Sequence, residues 1–137
     1  MLETAMPQDL NADFLRMLPD TGPVAMINLL KFKAISADGD GSGRDAYNRY
    51  SRAVLPLIAK AGGQVLWVGG VEGVAVGKAA DNDWDLVTLV QYPSRAAFLA
   101  MMTSADYAVA NRHRENGVAD HVILVANELF SRQGSES

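Results

Sequence analysis

The chain has no cysteine. That excludes a disulfide, a thiolate metal ligand and a cysteine nucleophile, and it fits a cytoplasmic protein. Only two histidines are present, His113 and His121, and they form neither an HxH nor an HExxH pattern, so no metal site is expected. No apolar run approaches the ~18 residues that cross a bilayer. The N-terminus "MLETAMPQDLNADFLRML" lacks the basic and apolar regions of a secretory signal. Charge of one sign is scarce too: the net charge is −4, scattered, with no basic stripe interleaved with aromatics. This pattern argues against nucleic acid or membrane as a partner. "GGQVLWVGG" does not open into a helix, so no phosphate cradle is indicated, and no bound cofactor is expected.

What is present is the balance of a soluble globular protein, 49% apolar and 20% charged over 137 residues. This length reads as a single domain, residues 1–137. Within it we expect an N-terminal helical appendage over 1–21, a core over 22–130 and a disordered tail over 131–137. Residues 9–18 form a short helix that Asp9 or Asn11 could cap. Residues 23–33 read as a strand, and "ISADGDGSG" as a flexible loop without the ligand positions of a calcium loop. The best helix covers 44–61, with Tyr47, Tyr50, Val54 and Ile58 at three- and four-residue steps and Pro56 expected to kink it. A long strand with a bulge near its glycines covers 64–77, and its hairpin partner covers 84–92. Ser94 and Ser104 cap helices over 95–102 and 105–116, and a last strand covers 120–130. The order is helix, then βαββαβ. The fold class is α+β: a ferredoxin-like four-stranded antiparallel sheet with both crossover helices on one face.

A sheet covered on one side should alternate apolar and polar residues. These strands do not. Met26, Leu30 and Phe32 share one parity of the first strand, while Ala25, Ile27 and Leu29 share the other. Leu86 and Val90 oppose Val87 and Leu89, and Ile123 and Val125 oppose Val122 and Leu124. Both faces need cover, and a second copy of the same sheet supplies it, so a homodimer is expected.

"GPVAMINLLKFK", "AYNRYSRAVLPLIAKAGGQVLWVG" and "WDLVTLVQYPSRAAFLAMMTSADYAVANRHR" resemble the family named domain of unknown function 1330, over residues 22–126. "YPSRAAFLAM" followed by "YAVANRHR" is the most specific part. The resemblance implies a dimeric α/β-barrel, with ferredoxin-like subunits joined through their sheets. The superfamily it resembles holds cofactor-independent monooxygenases, haem-degrading enzymes, lactone isomerases and proteins without known activity. The fold alone therefore does not choose among them.

Asn28 is the most conspicuous polar group, a lone amide between Ile27 and Leu29. It either makes a structural hydrogen bond or donates to a ligand carbonyl or to dioxygen. Its parity puts it on the face expected to meet the helices that carry Tyr50 and His113. Tyr47 and Tyr50 are either core or ligand contacts, Trp67 is either core or a pocket wall, and Trp84 is a packing anchor. His113, between Arg112 and Arg114, is the candidate acid or base, or else an ordinary helix-end cation. His121 is expected at the surface. Asn28 and His113 are thus the candidate catalytic residues, and Tyr47, Tyr50 and Trp67 the candidate ligand contacts. The leading reading is a cofactor-independent small-molecule enzyme, monooxygenase-like or isomerase-like, for a small apolar or aromatic ligand. The alternatives are a non-catalytic ligand-binding or stress-related dimer and a haem-handling protein, the last lacking any axial-ligand context.

Overall fold

In Val24–Phe32 (β1), Val24, Met26, Asn28 and Leu30 are buried while the intervening residues are half-buried. The same alternation runs through Leu86–Tyr92 (β3), where Leu86, Thr88, Val90 and Tyr92 face inward. A computed structural model of the chain describes residues 6–132. Gln64–Gly70 (β2) and Val118–Ala126 (β4) complete a four-stranded sheet in the order β2-β3-β1-β4. Every neighbouring pair is antiparallel. This is the expected ferredoxin-like arrangement.

The helices are Ala12–Met17 (α1), Gly43–Lys60 (α2), Arg95–Met102 (α3) and Ala105–Gly117 (α4). Helix α2 starts where Ser42 and Asp45 bond each other's backbone N–H, a capping box at 3.0 and 3.1 Å. It is one continuous helix through Pro56. Its buried stripe of Ala46, Tyr47, Tyr50, Val54 and Ile58 lies over the inward parity of the sheet. Ser94 and Ser104 cap α3 and α4 as expected, accepting from Ala97 N and Tyr107 N. The α4 stripe is Tyr107, Ala110, Asn111, Arg114 and Gly117.

Three backbones meet where β1 ends. Lys33 N donates to Gly117 O at 2.9 Å, and Gly43 N donates to Lys33 O at 3.0 Å. A Cβ at Gly43 would overlap the carbonyls of Lys33 and Gly117, and one at Gly117 would overlap Gly43 O and crowd Ala46. Glycine is required at both positions for this close approach.

Several expectations need correction. β2 ends at Gly70, not at 77, and its register shift falls between Val65 and Trp67 instead of at the glycines. Gly69 has another role: it leaves room for the Trp67 indole, which a Cβ would overlap. β4 begins two residues earlier than expected, which brings His121 into mid-strand. Asn11 stands at the N-cap of α1 without a side-chain bond, and Asp9 is engaged elsewhere. The loop after β1 is tied down: Asp38 bonds Ser36 Oγ, Asp40 N and the Asn116 amide, and Ala37 N donates to Asn116 O. Of the tail expected to be disordered, residues 133–137 lie outside the described part.

The α2, α3 and α4 helices all pack on one face. The other face is apolar and uncovered in the single chain, with Trp67 56% and Leu124 49% exposed. Among the described residues no helix is long and apolar enough to cross a membrane.

Candidate functional site

Between the inward face of the sheet and α2 lies a cavity of about 360 Å³. This is within the range of small-molecule sites, roughly 300–1,000 Å³. Its walls are apolar, from Met26, Leu30, Val54, Leu86, Val90 and Met101 among others. Its rim is formed by Arg44, Asn48, Ser51 and Leu55, which recur along one side of α2, and by Val65 and Val68 of β2 across from them. Polar groups gather on the floor: Asn28 and Thr88, paired across β1 and β3, with His121 of β4 and Tyr50 of α2. A polar cluster at the end of an apolar pocket orients a ligand through one hydrogen-bonding group.

The floor is the inner end of a chain of side-chain hydrogen bonds. Asn28 Nδ2 donates to Met26 O at 3.2 Å and to Thr88 O at 3.4 Å. These two acceptors orient the amide, leaving its Oδ1 toward His121 Nε2 at 2.9 Å. Because Oδ1 only accepts, Nε2 carries the hydrogen, and the bare Nδ1 accepts from Arg114 Nη1 at 3.1 Å. Arg114 also donates from Nε to Asn111 at 2.6 Å and from Nη1 and Nη2 to both carboxylate oxygens of Asp9 at 3.3 and 2.9 Å. The chain joins four separate segments of sequence.

Electrostatics follow from this wiring. Burial, and then the neighbouring Arg114 charge, push the His121 pKa down to about 4, so the ring is neutral near physiological pH. Burial acts against the Asp9 charge, but the hydrogen bonds and charge of Arg114 outweigh it and hold the carboxyl below its usual value. Tyr50 OH and Tyr107 OH share a hydrogen bond at 2.9 Å. Burial first, and then Tyr107, keep the Tyr50 phenol well above the ordinary range, and burial raises Tyr47 as well.

Of the residues singled out from sequence, Asn28, Tyr47 and Tyr50 line this one cavity. His113 and Trp67 do not. His113 borders a shallow surface cleft with Ala37, Asp38, Arg112 and Glu115. One helix step separates it from Arg114, which takes the inward position in the α4 stripe. Trp67 pairs with Leu89 and so belongs to the uncovered face of the sheet, away from the cavity. His121, expected at the surface, reaches the cavity floor because its register opposite Leu30 gives it inward parity.

Thr88 is the residue that sequence reasoning missed. It is only 8% exposed, it lines the cavity, and its hydroxyl makes no hydrogen bond among the described residues. Its parity with Leu86 and Val90 was the available signal. A larger crevice of about 500 Å³ lies between α1 and β4 and shares Phe98, Met102, His121 and Ile123 with the cavity wall.

A family model, Domain of unknown function (DUF1330), matches residues 37–127. A crystal structure of RPA0582, a protein of unknown function from Rhodopseudomonas palustris, is similar at 32% identity with a TM-score of 0.80. The match covers 91% of this chain and 96% of that one. A structure of methylated RPA0582 protein is similar at 32% identity and a TM-score of 0.81, covering 92% and 95% of the two chains. No curated protein matches.

Proposed function

The chain belongs to the DUF1330 family, and from that membership and the cavity we propose that it is a homodimeric binding protein for a small, neutral, largely apolar molecule. The ligand, of aromatic-carbonyl size, enters between α2 and β2, and its oxygen accepts from the Thr88 hydroxyl beside Asn28, whose own amide hydrogens go to Met26 O and Thr88 O. The observation that carries this reading is the Thr88 hydroxyl. It makes no hydrogen bond among the described residues and is not sealed off from the cavity, so it can donate to a ligand oxygen without breaking a bond of the empty protein.

Binding without turnover is favoured over the enzymatic reading by the state of the titratable groups. His121 has both ring nitrogens engaged, and the cavity tyrosines hold their protons. Among the described residues the floor offers hydrogen-bond donors but no free base. Of the proton carriers considered beside Asn28, a tyrosine or His113, Tyr47 and Tyr50 line the cavity with their phenols protonated, and His113 borders the surface cleft.

Thr88→Val is the test. It keeps the shape of the side chain and removes only the hydroxyl. Since that hydroxyl makes no bond in the empty protein, the unliganded variant should melt at or above the wild-type temperature. Its calorimetric affinity for acetophenone, a neutral aromatic ketone, should fall about tenfold. A lower melting point with unchanged affinity would make Thr88 a structural residue and overturn the reading.

The dimer in this proposal uses the uncovered sheet face. An apolar sheet face with Trp67 and Leu124 exposed at its edges is the kind of contiguous patch that marks a protein–protein contact. Sedimentation at micromolar concentration should give twice the chain mass, and Leu124→Asp should give the monomer. A wild-type monomer under those conditions would contradict the assembly.

A further inference from the structure

We propose that Asp9 is a positioning residue of the cavity: by gripping Arg114 it holds the guanidinium on His121 Nδ1, sets the tautomer of that ring and so keeps its Nε2–H on Asn28 Oδ1 at the cavity floor. The inference rests on the ligand-binding reading above. Asp9 stands 105 residues from Arg114 in sequence and touches no part of the cavity itself. Its effect passes through a fork. The two carboxylate oxygens hold Nη1 and Nη2 together, which fixes the plane of the guanidinium. The same Nη1 then donates to His121 Nδ1, and that bond forces the ring hydrogen onto Nε2, where it meets Asn28 Oδ1.

Exposure gives the arrangement its direction. The Arg114 side chain is 8% exposed and the Asp9 side chain 62%. A buried cation therefore takes its counter-ion from a solvent-facing segment ahead of α1. Without Asp9, Asn111 at Nε and His121 at Nη1 remain, but Nη2 loses its acceptor and the plane of the guanidinium is no longer held from its outer edge. Undocking of Asp9 also opens the crevice behind α1. That crevice already borders His121 and shares Phe98, Met102 and Ile123 with the cavity wall, so more water reaches the ring. With a second tautomer available, Nε2 becomes an acceptor, and Asn28, held by its bonds to Met26 O and Thr88 O, loses its partner at Oδ1.

Two variants separate geometry from charge. Asp9→Asn keeps the shape of the anchor and removes its charge. Arg114→Lys keeps the buried charge and removes the fork. The readouts are the ¹⁵N–¹H signal of His121 Nε2–H, observed without ligand, and calorimetric titration with acetophenone. In the wild type the Nε2–H signal should be sharp and slow to exchange. In both variants it should broaden or vanish, with acetophenone weakened about tenfold. A variant too unstable to study leaves the other to decide. A sharp wild-type-like Nε2–H signal with unchanged affinity in the folded variants would overturn the role of Asp9. If the wild type itself fails to bind acetophenone, the ligand reading fails, while the Nε2–H comparison still decides whether Asp9 sets the tautomer.

Discussion

Gly43→Ala should destabilise the protein by about 3 kcal/mol or more, lowering its melting temperature by roughly 10 °C. The added methyl would meet only backbone: the carbonyls of Lys33 and Gly117 and the Lys33 nitrogen. No side chain can rotate away to make room. Relief would require pulling α2 off the end of β1, breaking the Gly43 N to Lys33 O bond and disturbing the Lys33 N to Gly117 O bond beside it. Gly117→Ala should have a comparable effect from the opposite side, where the methyl meets Gly43 O and Ala46 Cβ. Because α2 carries Tyr47 and Tyr50, and β4 with His121 follows directly from Gly117, the surviving fold should also bind ligand more weakly. Thermal melts of both variants check this. Wild-type stability in either would show that the helices do not cross this closely.

The second large effect is on the pH dependence of stability. The folded His121 titrates at about 4, against 6.5 for the ordinary side chain. Above about pH 6.5 the ring is neutral in both states and adds no slope. As pH falls from about 6.5 to about 4, the unfolded ring takes up a proton that the folded ring refuses, so stability falls, by about 3 kcal/mol over the window. Asp9 adds to the loss further down. Its folded carboxyl lies below 3.8, so its contribution is present above that value and disappears as pH falls through the folded pKa. Urea unfolding at a series of pH values should show the decline, and His121→Gln should flatten it between 6.5 and 4. The readout is the slope, which is independent of any constant cost of the substitution. A His121 ring that titrates near 6.5 in the folded protein would contradict the buried wiring.

Much of the fold was legible because strand parity and helix spacing are local signals. Val24, Met26, Asn28 and Leu30 alternate with Ala25, Ile27 and Leu29, and the inward set is the one with Asn28. The serines before α3 and α4 marked their starts correctly. Strand ends were harder. Val74 and Val76 continue an apolar pattern past Gly70, where the second strand ends, yet Val76 is 94% exposed. Composition does not reveal where a strand loses its neighbour.

The site was legible only in part. Asn28 stood out because a lone amide in an apolar strand needs a partner, but that partner is His121, 93 residues away. Periodicity carried the signal for Arg114, since Tyr107, Ala110, Asn111, Arg114 and Gly117 form a single stripe. His113, the more conspicuous group by its chemistry, lies one residue off that stripe. Asp9 carried no local mark, because its role depends on where α1 lies against α3 and β4. Trp67 looked like a pocket wall beside glycines. Its indole does lie against Gly69, but the parity of β2 after the register shift turns it to the opposite face.

The central claim is that a neutral ligand sets one oxygen on the Thr88 hydroxyl, beside Asn28 at the cavity floor. The most direct measurement is the position of acetophenone in the folded protein, from intermolecular nuclear Overhauser contacts in a titrated, isotope-labelled sample. The account predicts saturable contacts from its methyl and ring protons to Thr88, Val90 and Val54, with the Asn28 side-chain amide signals shifting in step. Contacts confined to Phe14 and Leu124 in the crevice behind α1, or to Trp67 on the uncovered sheet face, would contradict it.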